Sequence, residues 1–215
     1  MAKLIAIMGE SGSGKTTAMR TLPPAETFYI DADLKGLSWK GWKNQYNADK
    51  KNYLAKNDPN VVLRTMWAVN NDMEHIHYIV VDTLNGIMVA DEMRRMNEKN
   101  YDKWADLAAS VWTIIDDALT MREDLTVIFL CHSQTDRDDN GYNFTRIKTS
   151  GRKLDKIVLE SKFTTVLLCK CLDGQHLFET HADHSTAKTP LGAYETSEKE
   201  VANDIMQVIK RLEEF

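Results

Sequence analysis

One stretch near the start, Gly9-Glu10-Ser11-Gly12-Ser13-Gly14-Lys15-Thr16, constrains this chain more than any other feature. It fits G-x-x-x-x-G-K-[ST] at every fixed position. Its flanks fit as well: an apolar, strand-like run (Lys3–Met8) comes before it and a helix-compatible run (Thr16–Arg20) after it. Glycines let successive backbone N–H groups turn inward around phosphate oxygens, at a helix N-terminus whose dipole favours anions. The loop Gly9, Glu10, Ser11, Gly12, Ser13, Gly14, with Lys15, Thr16 and Thr17 closing it, is therefore expected to hold the phosphates of a nucleotide. Lys15 should reach the β- and γ-phosphates, and the Thr16 hydroxyl should ligate Mg²⁺.

Such a loop belongs at the edge of a sheet, and the rest of the chain supplies one. Leu4–Met8, Thr27–Ile30, Tyr78–Val81, Thr126–Cys131 and Thr164–Cys169 are short, nearly continuous apolar runs rich in β-branched residues. Strands buried on both faces have this pattern. Between them lie helical patterns. The clearest covers about 102–122, with Trp104, Leu107, Ala108, Val111, Ile115, Ala118 and Leu119 at i, i+3, i+4 spacing. A second is expected over about 198–212, with Ser197 and Glu200 as a capping box, and a third over 84–97. Asp173-Gly174 predicts a hairpin between Thr164–Cys171 and Gln175–Thr180. The expectation is a three-layer α/β fold: a mostly parallel sheet with helices on both faces, right-handed crossovers and a C-terminal antiparallel hairpin, forming one domain over 1–215.

Composition removes several classes. With Lys+Arg 27 against Asp+Glu 32, net −5, the chain is no globally basic nucleic-acid coat, although a local basic site stays open. Hydrophobic residues at 43% and charged residues at 27% exclude disorder and coiled coil. Three cysteines, Cys131, Cys169 and Cys171, sit in apolar runs and suggest reduced thiols in a cytoplasm. Cys169-x-Cys171 lacks the clustered partners a metal site needs. No apolar run approaches the ~18 residues of a membrane span, and no secretory signal is evident.

Mg²⁺ needs a second anchor, usually an acid at the tip of a buried strand. Tyr78-Ile79-Val80-Val81-Asp82 offers Asp82, holding the metal through a water, or alternatively capping the next helix. The residue after it is Thr83 rather than a glutamate, so a water-activating base must come from elsewhere. Phe28-Tyr29-Ile30-Asp31-Ala32-Asp33 ends in two carboxylates at the sheet edge where ligands bind.

These residues together resemble the RecA family. Phe28–Asp33 resembles the RecA segment ending Ile-Asp-Ala-Glu, whose glutamate polarises water. Tyr78–Asp82-Thr83 resembles the metal strand ending Val-Val-Asp-Ser. Val127-Ile128-Phe129-Leu130-Cys131-His132 resembles the strand whose last residue is a γ-phosphate-sensing glutamine. The motifs keep the RecA order over residues 1–170. The small size resembles phage RecA-core ATPases, AAA-type ATP-binding proteins that include the Sak-type single-strand annealing proteins. Asp33 stands where RecA has Glu and His132 where it has Gln, so the carboxylate is one methylene shorter and the sensor is an imidazole, or else a structural histidine.

The resemblance implies ATP hydrolysis with Mg²⁺ and single-stranded DNA as a partner. It also implies a single-strand-binding protein, further copies of the chain in a ring or filament, and the cytoplasm of a phage host. It places Asp33 as the base (with Asp31 the alternative), His132 as the sensor and Lys188 as a cation acting on a neighbouring subunit's γ-phosphate. In RecA the DNA loop follows the sensor strand. Here Ser133–Gly151, then Arg152 and Lys153, holds Tyr142, Phe144, Arg146 and Lys148, a mixture suited to single strands. Asp136, Asp138 and Asp139 dilute its charge, so a solvated mobile loop is the alternative. Lys35–Lys56 carries six lysines with Trp39, Trp42, Tyr46 and Tyr53. Trp39 or Trp42 is placed to stack on adenine, or to anchor a surface helix. Met88, Met93 and Met96 suggest core or a subunit interface. Two other functions use the same loop: a small-molecule kinase, and a nucleotide-dependent loader with little turnover.

Overall fold

In a computed structural model, which describes residues 1–98, 103–138, 140–149 and 158–214, the alternation of apolar runs and helical patterns produces the expected layers. The elements run β1 (Lys3–Gly9), α1 (Lys15–Ala18), β2 (Thr27–Asp31), α2 (Trp42–Gln45), β3 (Tyr53–Leu54), α3 (Pro59–Asp72), β4 (Tyr78–Asp82), α4 (Leu84–Arg94) and α5 (Lys103–Thr120). They continue with β5 (Thr126–Arg137), β6 (Asn143–Ile147), β7 (Thr165–Leu172), β8 (Gln175–Glu179), β9 (Glu200–Ala202) and α6 (Ile205–Glu213). The strand order is β3-β2-β4-β5-β1-β7-β8-β9, with β6 paired to β5. All neighbours from β3 to β7 are parallel; β8 and β9 close the sheet antiparallel. This is an α/β sheet of the P-loop NTPase kind.

Period-two alternation assigns each strand residue to one of two cores. Ala6, Met8, Ile30, Val81, Val127 and Phe129 face α3, α4 and α5, where Val62, Met66, Ile87, Val111 and Ile115 are fully or almost fully buried. Ile5, Ile7, Tyr29, Val80, Ile128 and Leu130 face the other way, against Met19, Ile205, Val208 and Ile209. The order has one decisive consequence. β5 lies between β1 and β4, with Gly9 beside His132 and Asp82 beside Leu130. The phosphate loop, His132 and Asp82 thus share one sheet edge.

The structure departs from the expected elements in three places. The helix expected from about 198 begins only at Ile205, and its cap is Asp204, whose carboxylate accepts from Met206 N at 3.0 Å and Gln207 N at 3.3 Å. Glu200–Ala202 instead adds to β8, Phe178 beside Val201. The open sheet edge satisfies these backbone groups before a helix can, so the Ser197–Glu200 capping box does not form. Second, among the described residues the stretch after His132 is no open loop. β5 continues to Arg137 and pairs with β6, Thr135 beside Thr145, across a turn whose Gly141 has φ 86°. Third, α3 was not anticipated. Asp58 caps it by accepting from Asn60 N and Val61 N, and Pro59 opens it, where its missing N–H costs nothing.

No helix among the described residues is long and apolar enough to cross a membrane. Met88 of α4 is buried, while Met93 on the same helix and Met96 in the turn after it are exposed.

Candidate functional site

The chain leaves β1 at Gly9 and re-enters a helix at Lys15, a turn that only glycine makes without strain. Gly14 holds φ 103°, and a Cβ there would sit 2.8 Å from the His176 ring. Lys15 is only 6% exposed, and its Nζ donates to the carbonyls of Gly9 and Glu10, both at 2.7 Å. Burial lowers its pKa. The loop's own carbonyls thus solvate the ammonium.

Thr16 and Asp82 meet across the site. The Thr16 hydroxyl donates to Asp82 Oδ2 at 2.7 Å, and Tyr29 OH donates to the same oxygen at 2.7 Å. Asp82 is 1% exposed, and its other oxygen, Oδ1, has no hydrogen-bond partner although it is fully buried. Burial raises the pKa of Asp82, opposed by the Tyr29 hydrogen bond and the Lys35 charge. A buried carboxylate oxygen without a protein partner, next to a threonine hydroxyl, suits a cation. The donors are all oxygens, as Mg²⁺ prefers. Thr16 and Asp82 therefore fit a hydrated Mg²⁺.

The two carboxylates at this edge, Asp31 at the end of β2 and Asp33 two residues beyond it, separate clearly. Asp31, 1% exposed, accepts from Gly36 N and Tyr53 OH, each at 2.8 Å, with its second oxygen buried and unpartnered. Asp33 is half-buried at the mouth. Its Oδ1 accepts from the Thr83 hydroxyl at 2.8 Å and its Oδ2 from Lys35 Nζ at 2.6 Å. Burial pushes the Asp33 carboxyl up, but the Lys35 and Thr83 hydrogen bonds outweigh it and hold the pKa below the ordinary value. Thr83 is also the N-cap of α4, accepting from Gly86 N at 3.0 Å. Gly86 permits this approach, since a Cβ there would lie 2.5 Å from Asp33 Oδ1 and 2.7 Å from Ala32 O. A glycine at 86 and a threonine at 83 together aim Asp33.

His132 is half-buried, and burial followed by the Lys15 charge lowers its pKa, so its imidazole is neutral at pH 7. Its backbone is clamped: His132 N donates to Asn85 Oδ1 at 2.7 Å and His132 O accepts from Lys148 N at 2.8 Å. Asn85 Nδ2 donates to Lys148 O at 2.8 Å, tying the hairpin base to α4.

On its other side the phosphate loop rests on groups with no motif signal. Cys169 Sγ donates to Ser13 O at 3.1 Å and accepts from Asn203 Nδ2 at 3.2 Å. Burial pushes this thiol up to about 11, so it is an unreactive neutral brace. His176 Nδ1 donates to the same Ser13 carbonyl at 2.8 Å. Thr17 shares a hydrogen bond with Ser38 at 2.9 Å.

The remaining candidates lie further off. Trp39 packs edge-on against Tyr29 and Tyr46, with centroids 6.4 and 6.1 Å away, and Nε1 donates to Gln45 Oε1. Trp42 leans on Tyr53 at 5.3 Å. Both rings anchor the lysine-rich segment to the core, and that segment holds the single turn α2 and the short β3 rather than a surface helix. Lys188 is exposed, and its backbone exchanges two hydrogen bonds with Val166 of β7. In the hairpin, Tyr142 and Lys148 are exposed and Phe144 is partly buried. Arg146 is partly buried, its guanidinium paired with Asp136. Arg152 lies outside the described residues.

No curated protein matches this chain significantly. The family model described as an AAA domain does match it, over residues 1–191, which takes in the phosphate loop, both acidic strand ends and the hairpin. With a sheet of this order and that match, the chain belongs to the AAA domain family, and nucleotide binding with ATPase activity is the function the family suggests.

Proposed function

We propose that this protein is a Mg²⁺-dependent ATPase of the RecA-core type, acting on single-stranded DNA in phage-type recombination or annealing. The observation that carries the ATPase reading is the unpartnered, buried Asp82 Oδ1 beside Thr16 and across from Lys15. Mg²⁺, if bound, would offset the charge that develops on the transferred phosphate. Lys15 exchanges the Gly9 and Glu10 carbonyls for β- and γ-phosphate oxygens. Thr16 and Asp82 would hold the metal, and Tyr29, hydrogen-bonded to Asp82 Oδ2, fixes the carboxylate's orientation. Asp33 takes the proton from the attacking water, held in place by Thr83. His132, as a neutral imidazole, donates one N–H toward the γ-phosphate without adding charge.

The DNA reading rests on the hairpin. A cavity of about 360 Å³ is lined by Glu10–Ser13 of the phosphate loop and by Ser133, Thr135 and Thr145 of the hairpin. Movement of the hairpin on a bound strand would therefore reach the phosphate loop directly. Tyr142 offers a stacking face and Lys148 a cation. Arg146 contacts phosphate only by exchanging its Asp136 partner.

The experiment is phosphate release from ATP with and without single-stranded DNA. Stimulation by DNA is the expected result. In Lys148→Ala the log–log salt slope of DNA binding should fall by roughly 0.7. In Tyr142→Ala binding should weaken by about 1–3 kcal/mol, almost independently of salt. A rate indifferent to DNA, with no DNA binding at low salt, would overturn the DNA reading. Transfer of phosphate to a nucleoside would favour a kinase, and binding without turnover a loader.

A further inference from the structure

Lys35 belongs to no motif, yet its ammonium lies at the acidic sheet edge. β2 and β4 end side by side, with Asp31 next to Asp82 in register and Asp33 two residues on. Three carboxylates therefore converge here. Lys15, the other lysine at the edge, gives its hydrogen bonds to the Gly9 and Glu10 carbonyls. Lys35 Nζ donates to Asp33 Oδ2 at 2.6 Å, while the side chain stays 50% exposed. Burial works against the charged form, but Asp33 first, then Asp82 and Asp31, outweigh it and hold the ammonium pKa above its ordinary value. Lys15 and His132 also feel its charge. The ammonium thus lies within electrostatic reach of the γ-phosphate region on a side chain free to move.

The backbone beneath it is fixed. Gly36 N donates to Asp31 Oδ2, and Ala32 N and Asp33 N both donate to Asp82 O, at 2.6 and 3.2 Å. Leu34 and Gly36 hold φ 58° and 77°, forming a tight loop that presents Lys35 toward Asp33. A half-exposed ion pair of this kind contributes little to folding, but its charge-assisted hydrogen bond lowers the basicity of Asp33. A carboxylate bonded to an ammonium is a poor proton acceptor until that ammonium leaves.

We infer that Lys35 is a γ-phosphate ligand acting within its own subunit, drawn from its pairing with Asp33 when a triphosphate enters. This rests on the reading of the site as a nucleotide-hydrolysing one, with Asp33 as base. The γ-phosphate offers more negative charge than one carboxylate, so Lys35 transfers to it and Asp33 is released at the moment its substrate is present. ADP lacks the group that draws Lys35 away, and the base stays covered.

The test compares Mg²⁺-bound ADP with the non-hydrolysable β,γ-imido analogue of ATP by calorimetry. In Lys35→Gln the affinity for the analogue should fall about tenfold, the worth of one charge-assisted hydrogen bond. ADP affinity should be unchanged, which also shows that the loop is intact. Lys35→Arg should restore the preference for the analogue. An analogue-to-ADP ratio in Lys35→Gln equal to wild type would overturn the inference, as would an equal loss for both nucleotides. Failure of the underlying reading looks different: wild type would bind neither nucleotide, or Asp33→Asn would turn over normally while the affinity ratio still reported on Lys35.

Discussion

Lys15→Ala should lose turnover by at least about 10²–10³-fold, the range for removing one preorganised donor from a developing charge. Stability should change little, because two effects oppose each other. The substitution removes two hydrogen bonds from a charged donor to Gly9 O and Glu10 O, which costs a few kcal/mol at most. It also relieves the burial of an ammonium whose pKa that burial already lowers. Lys15 therefore also ties the loop to itself, a role that spacing alone does not suggest. Nucleotide binding by calorimetry and a thermal melt separate the two effects. A variant that melts normally yet turns over normally would contradict the placement of Lys15 at the phosphates.

Asp33→Asn should lower turnover by ~10²–10⁴, the usual contribution of a general base, with MgATP affinity within a few-fold. Asparagine keeps the shape and still accepts from Thr83, but it cannot take a proton. Asp31→Asn should affect turnover much less. Its carboxylate is buried against Tyr53 and Gly36 N, so its loss should appear as reduced stability, about 1–3 kcal/mol if one donor is left unmatched. Turnover and denaturant melts on both variants check the ranking. If Asp31→Asn proved the slower enzyme, the base would move to Asp31.

The parts legible in the sequence are those where local chemistry and fold agree. The loop from Gly9 to Thr16 carries its own geometry. β1, β2, β4, β5 and β7 are buried on both faces, so continuous apolar runs mark them. The Asp173-Gly174 turn announces the β7–β8 hairpin. The misread parts depend on partners distant in sequence. Glu200–Ala202 is a strand only because β8 offers it an edge. Arg137 and Asn143 pair although β5 has left the apolar core after Cys131, and the Asn140-Gly141 turn was the available signal. Asp58-Pro59 was likewise a legible helix start.

At the site, Asp82 announced itself by ending an apolar strand and Asp33 by following one closely. Lys35, Asn85, Cys169 and His176 did not, because each acts through tertiary contact. Thr83 stood out in the sequence only as a missing glutamate. In the structure its hydroxyl caps α4 and donates to Asp33, the carboxylate two residues beyond the end of β2.

The central claim is hydrolysis of MgATP at the Thr16–Asp82 edge, and the most direct measurement is phosphate release from ATP with Mg²⁺ and then with EDTA, in the presence of single-stranded DNA. Release in Mg²⁺, collapse to background in EDTA and recovery on adding excess Mg²⁺ are the predicted results, with Lys15→Ala at background throughout. Release that persists undiminished in EDTA, or that Lys15→Ala retains, would contradict it.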